Sequence, residues 1–237
     1  MVVDKSMTSE WTKEEEKILK KYYPNIGMKV HQFLPERSQE AIDHKVRRMG
    51  IKYAPTGEGL AGYLDIETSG LQGDFNFMYS WSIKIAGEDK IIWDTILPKE
   101  IQDGSLDKRI IIHLIHTLSQ FKRVYTFYGT KFDIAFARTR ALYHGLAFVP
   151  YGLVEHKDLY YLVKRILKIH SNRLESVADL LGIKGKTHLD PRVWVQANSG
   201  NVDAIGYILD HNKKDVLLLE EVHKKLQEYE ARTRRYL

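Results

Sequence analysis

The stretch Gly-Tyr-Leu-Asp-Ile-Glu-Thr-Ser-Gly-Leu, residues 62–71, sets two carboxylates two positions apart. Tyr63, Leu64 and Ile66 favour a strand, and Ser69-Gly70 ends it as a turn. Alternate residues of a strand point to the same side, so Asp65 and Glu67 project together. Carboxylates held side by side repel, and each raises the other's pKa unless a cation lies between them. Hard divalent cations such as Mg²⁺ take oxygen ligands of this kind. The pair reads as half of a metal site.

Two further stretches could supply the other half. Tyr-Thr-Phe-Tyr-Gly-Thr-Lys-Phe-Asp, residues 125–133, places a strand, a glycine turn and then Asp133 just before an apolar helix. Near the C-terminus His211 and Asp215 stand four apart and share one helical face, with Leu209, Val216 and Leu219 turned to the core nearby. An imidazole titrates near neutrality and can orient or deprotonate a water. Each feature alone has a plainer explanation. The Asp-x-Glu pair recurs by chance, Asp133 is placed as a helix N-cap, and Asp215 and His211 suit a solvated helix face. Three such features in one chain argue for one site.

The elements that must position these groups are expected as follows. Strands fall at Ala61–Glu67, Met78–Ala86, Lys90–Ile96 and Arg123–Tyr128. The first three lie close together and should form an antiparallel meander. A helix near Asp107–Ser119 crosses over to the fourth strand, which predicts parallel pairing there. Helical patterns follow at Ile134–Tyr143, Leu159–Leu167, Arg173–Leu181 and Val202–Arg235. This order predicts an α/β domain with a mixed sheet flanked by helices.

The first 53 residues carry no strand-like run and read as three short helices. Thr12 and Glu15 form a capping box for a helix that should stop at Pro24, with Ile18, Leu19 and Tyr22 on one face. A two-turn helix is expected over Ile26–Phe33. Ser38 caps a third over Gln39–Met49, with Ala41, Ile42, Lys45, Val46 and Met49 at helical spacing and Gly50 as its stop. Its outward face would show His44, Arg47 and Arg48. Residues 54–60 read as a linker, and 61–237 as the second domain.

Composition sets outer bounds. The 237 residues suffice for one large domain with a smaller one, and a hydrophobic content of 43% can fill a core. The chain has no cysteine, which excludes disulfides, thiolate catalysis and cysteine-ligated zinc. No apolar run approaches membrane-spanning length, and no signal-peptide pattern opens the chain, so an intracellular protein is expected, cytoplasmic or nucleoid-associated. The net charge of +5 is compatible with a polyanionic partner.

The leading tryptophan Trp11, the Leu34-Pro-Glu-Arg-Ser38 turn and the basic last helix resemble the Myb/SANT-like helix-turn-helix group. That resemblance covers about 45 residues and implies nucleic-acid binding through His44, Arg47 and Arg48, DNA in particular. Only one of the family's three repeating tryptophans stands here, and the plainer alternative is a small bundle that binds protein.

Asp-Ile-Glu-Thr, then Tyr-Gly-x-x-Phe-Asp, then a helix with His-x-x-x-Asp resemble the DEDD 3′–5′ exonucleases of the RNase H-like fold. Within that group the chain is most similar to YprB-type ribonuclease H-like domains and polymerase proofreading domains, over roughly Tyr63 to Leu226. The resemblance implies two divalent metal ions, Mg²⁺ or Mn²⁺, on Asp65, Glu67, Asp133 and Asp215, with His211 steering the attacking water. It implies contacts to the terminal nucleotide from Thr68, Gly70 and Leu71, and to a phosphate from Lys131. Asp158 matches a position that packs near such sites. Two positions depart from the family pattern. Tyr128 stands where an asparagine is usual, and His211 occupies the spacing that carries tyrosine, with Asp210 at the spacing of the histidine subgroup. The function implied is metal-dependent 3′–5′ exonuclease action on nucleic acid, DNA and single strands favoured. A structure-specific endonuclease on the same fold and a catalytically weak nucleic-acid-binding protein are the alternatives. The loop with Lys184, Lys186 and His188, which Asp190 follows, either meets phosphate or is solvated, and the basic C-terminal residues suit a charged helix end.

Overall fold

The computed structural model describes residues 10–26, 30–31, 33–51, 59–183 and 190–230. As far as they are described, they form two compact units. One holds residues up to Gly59 together with Val149–Glu155; the other holds Leu60–Phe148 and His156 onward.

In the first unit, helix α1 spans Lys13–Ile26 and α2 spans Gln39–Arg48. The capping box forms: Thr12 Oγ1 accepts from Glu15 N at 3.2 Å, and Glu15 Oε2 accepts from Thr12 N at 2.8 Å. Arg37, which is buried, donates to both oxygens of Glu15 and lies over the Trp11 ring. That hydrogen bond holds the Glu15 carboxyl down at about 2. Ser38 Oγ caps α2 through Ala41 N at 3.1 Å, and Gly50, with φ +65°, closes it. Leu19, Tyr23, Val30, Leu34, Ile42 and Val46 make the core, while His44, Arg47 and Arg48 are exposed. Two expectations fail here. α1 continues through Pro24 and ends at Ile26, so the hydrogen bond that proline cannot donate is lost in the closing turn, where the helix is ending. Of the expected helix Ile26–Phe33, Ile26 closes α1, while Val30, His31 and Phe33 are 3₁₀; residues 27–29 and 32 lie outside the described residues, as does most of the linker.

The second unit is built on five strands: β1 Ala61–Thr68, β2 Met78–Ile85, β3 Ile91–Thr95, β4 Arg123–Thr126 and β5 Glu155–Asp158. Their order is β3-β2-β1-β4-β5. β2 runs antiparallel to β1 and β3, and β4 runs parallel to β1, as the meander and crossover predict. The helices are α3 Pro98–Gln102, α4 Lys108–Leu118, α5 Asp133–Tyr143, α6 Leu159–Ile166, α7 Leu174–Leu180, α8 Pro191–Asn198 and α9 Val202–Leu226. α9 lies across β1 and β2 on the face that carries Tyr63, Asp65 and Glu67. The opposite face is apolar. Leu64, Ile66, Trp81 and Ile83 are buried there, and the Trp81 indole donates to Ile110 O of α4 at 2.9 Å.

Three elements escape the sequence reading. β5 is four residues, Glu-His-Lys-Asp, with no apolar alternation, as an edge strand tolerates. α3 and α8 each begin with proline at the first helical position, a legible start signal. Asp190 is therefore the N-cap of α8, bonded to Arg192 N and its guanidinium; the loop with Lys184, Lys186 and His188 lies outside the described residues, which omit 184–189. The expected last helix ends at Leu226 and passes into a 3₁₀ turn, Gln227–Tyr229. Residues 231–237 are outside the described set.

Candidate metal centre

β1 brings Asp65 and Glu67 out on the α9 side, half-buried. α9 is anchored by Asn201, whose side chain accepts from Ala204 N at 2.9 Å, and it passes over the strand with His211, Asn212 and Asp215 facing down. His211 Nε2 lies 3.8 Å from Glu67 Oε1 and 3.4 Å from Asp215 Oδ2. One donor atom from each of these three residues falls within 4.8 Å of the others. Asp210 is exposed, 3.9 Å from Lys213, so the helix phase turns His211 and not Asp210 to the site.

Asp133 arrives from the other side. It is the first residue of α5, buried, and its Oδ1 accepts the Ile66 backbone N–H at 3.2 Å, between the two acids of β1. The turn ahead of it is tightly built. Tyr128 takes a positive φ of +67°, unusual for a bulky residue, and a Cβ on Gly129 would run into Thr126. Asp158 holds this turn: its carboxylate accepts from Tyr128 N at 2.7 Å and Thr130 N at 2.9 Å, while also capping α6 through Tyr160 N at 3.1 Å. The expected strand to Tyr128 stops at Thr126 because this left-handed turn intervenes.

Electrostatics reports the same convergence. Asp65 is pushed well above the usual carboxylate range, first by burial and then by the negative charges of Asp133, Asp215 and Glu67. Asp133 is raised to about 7, mainly by burial. Asn212 opposes the shift of Asp65: its Nδ2 donates to Asp65 Oδ2 at 2.7 Å. Asn212 is itself fully buried, and its Oδ1 accepts from Ser80 Oγ at 3.3 Å. Neither Asn212 nor Ser80 stood out in the sequence. The available signal was the register, which sets Ser80 opposite Glu67.

Beyond β1 the chain turns through residues 69–77. Thr68 Oγ1 donates to Gly70 O at 2.8 Å, and a Cβ on Gly70 would approach Asn76 Oδ1 to 2.5 Å. Arg140, buried and paired with Asp107, donates to Gly73 O at 3.0 Å. This fixed loop leaves Leu71 78% and Phe75 87% exposed beside the end of β1 that carries Glu67. Lys131 is exposed on the Asp133 turn.

The donor set fits a divalent cation. Four carboxylates crowded on one partly buried face are costly without a counter-charge, and oxygen-rich donors suit Mg²⁺ and Mn²⁺.

Comparison with known proteins agrees with this architecture. Residues 62–227 match the family model of the RNase_H superfamily. Comparison with curated proteins gives no match. Among solved structures, the chain is similar to the family B DNA polymerase from the hyperthermophilic archaeon Pyrobaculum calidifontis, with a TM-score of 0.58 and 16% identity. The likeness covers 74% of this chain and 25% of the polymerase, and shows a shared fold. With the family match running through the sheet and across α9, the chain belongs to the RNase_H superfamily, whose members are typically metal-dependent nucleases.

Proposed function

We propose that this protein is a divalent-metal-dependent 3′–5′ exonuclease that acts on single-stranded nucleic acid, DNA in preference to RNA. The observation that carries the reading is the meeting of Glu67, His211 and Asp215 next to Asp65, with Asp133 bonded to Ile66 N between the two acids of β1. Asp65, Glu67, Asp133 and Asp215 would hold two ions, Mg²⁺ or Mn²⁺. When bound, such ions offset the phosphate charge, lower the pKa of water and stabilise the leaving oxygen. The protein's own contribution is position. Asn212 fixes the Asp65 carboxylate, and Ile66 N fixes Asp133.

Leu71 and Phe75 support action at a strand end. Two exposed apolar side chains on a braced loop next to the carboxylates suit an unstacked terminal base. Thr68 and Gly70 shape that loop, and Lys131, exposed on the Asp133 turn, would meet a phosphate. In the N-terminal unit, His44, Arg47 and Arg48 would hold nucleic acid, DNA in particular, in the manner of a helix-turn-helix. Arg47 is shared with Asp43 at 2.8 Å, so Arg48 carries more of that interaction.

The test uses 5′-labelled single-stranded DNA and the matching RNA with Mg²⁺ or Mn²⁺. A ladder that shortens from the 3′ end, absent with EDTA and in Asp65→Ala, is the expected result. Cleavage that persists on a 3′-blocked strand would mark an endonuclease. Binding without any metal-dependent product would mark a binding module instead.

A further inference from the structure

His211 has a position that water activation does not require. Its Nε2 is 3.4 Å from one oxygen of Asp215 and 3.8 Å from one of Glu67. Two ligands with bonds of about 2.1 Å to one ion stand about 3 Å apart at an octahedral angle and about 3.4 Å apart at a tetrahedral one. The two His211 separations are close to that spacing, and the donor atoms of all three residues lie within 4.8 Å of one another. They also sit on rigid supports: His211 and Asp215 share a face of the 25-residue α9, and Glu67 belongs to the inner strand β1.

We infer that His211 is itself a metal ligand, and that with Glu67 and Asp215 it makes a mixed imidazole–dicarboxylate set that selects Mn²⁺, or another ion of the first transition row, over Mg²⁺. The inference rests on the metal-dependent reading above and deepens it. Imidazole is a borderline donor that suits transition ions, whereas Mg²⁺ holds to oxygen and to its own waters. Ligation also takes Nε2 out of proton transfer, so His211 tunes the ion and does not act as the base. The competing arrangement is a protonated His211 that merely pairs with the two acids and leaves when a cation enters.

The experiment titrates Mn²⁺ into the untagged 237-residue chain and records pulsed electron paramagnetic resonance without nucleic acid. The expected signal is nitrogen modulation from a coordinated imidazole, and it changes to the ¹⁵N pattern when the unaltered chain is grown on ring-¹⁵N histidine. His211→Ala and His211→Tyr should lose the modulation and weaken Mn²⁺ binding by about tenfold or more. Mn²⁺ bound without nitrogen coupling, equal affinity in His211→Ala, or no Mn²⁺ binding would each overturn the assignment. The two readings fail separately. Nitrogen coupling without nucleotide release from any strand sustains the ligand and removes the exonuclease. A 3′–5′ ladder abolished by Asp65→Ala, in a protein that shows no nitrogen coupling, does the reverse.

Discussion

At the scale of single residues, the buried amide of Asn212 has the largest consequence for its size. It donates to Asp65 and accepts from Ser80, so one side chain ties the central carboxylate to β2. An isolated carboxylate in that position would be free to turn away from its neighbours under their repulsion. Asn212→Ala should reduce phosphodiester hydrolysis about 10- to 100-fold, the usual cost of removing a partner that orients a metal ligand, with the fold intact by circular dichroism. Ser80→Ala should cost less, because the direct donor to Asp65 stays. Single-turnover rates at saturating metal check both.

At the scale of elements, the turn from β4 into α5 governs where Asp133 lies. A left-handed conformation costs a bulky L-residue about 1–2 kcal/mol, and Tyr128 is held there by Asp158 from the neighbouring strand. Asp158→Ala removes both turn contacts and the α6 cap, and should destabilise the protein by roughly 2 kcal/mol or more while slowing catalysis through Asp133. Tyr128→Asn should raise stability by about 1 kcal/mol, since asparagine tolerates that conformation. Urea unfolding of both variants measures the effects, and a stabilising Asp158→Ala would contradict the bracing role.

At the scale of the molecule, clustered acids set a dependence on pH and metal. Asp133 has its carboxyl raised from 3.8 to about 7, and Asp65 is raised as well. The folded form therefore binds protons that the unfolded form has released. Stability from these groups is present below about pH 4 and is lost as pH rises through about 7 in metal-free solution. A bound cation removes the penalty. In EDTA the melting temperature should fall across that window, relative to Asp133→Asn. Added Mn²⁺ should restore it most at the upper end, at roughly 2–4 °C per kcal/mol for a unit of this size. A flat EDTA profile equal to that of the variant would show that the carboxylates do not interact as placed.

Much of this was legible in the chain. Alternating apolar residues marked β1 and β2, a link over residues 69–77 too short for a crossover forced their antiparallel pairing, and the α4 crossover forced β4 parallel. These are local rules of period and chain length, so they need no partner to be known. The spacing of Asp65 with Glu67 and of His211 with Asp215 likewise follows from the repeat of strand and helix alone. What only the tertiary structure decided is the meeting of those pairs. The rotation of α9 over β1 points His211 and Asn212 to the acids and Asp210 to solvent, and the Asp158 clamp lies 30 residues from the turn it holds. Such contacts join elements distant in sequence, and their geometry comes from packing, which no local period records.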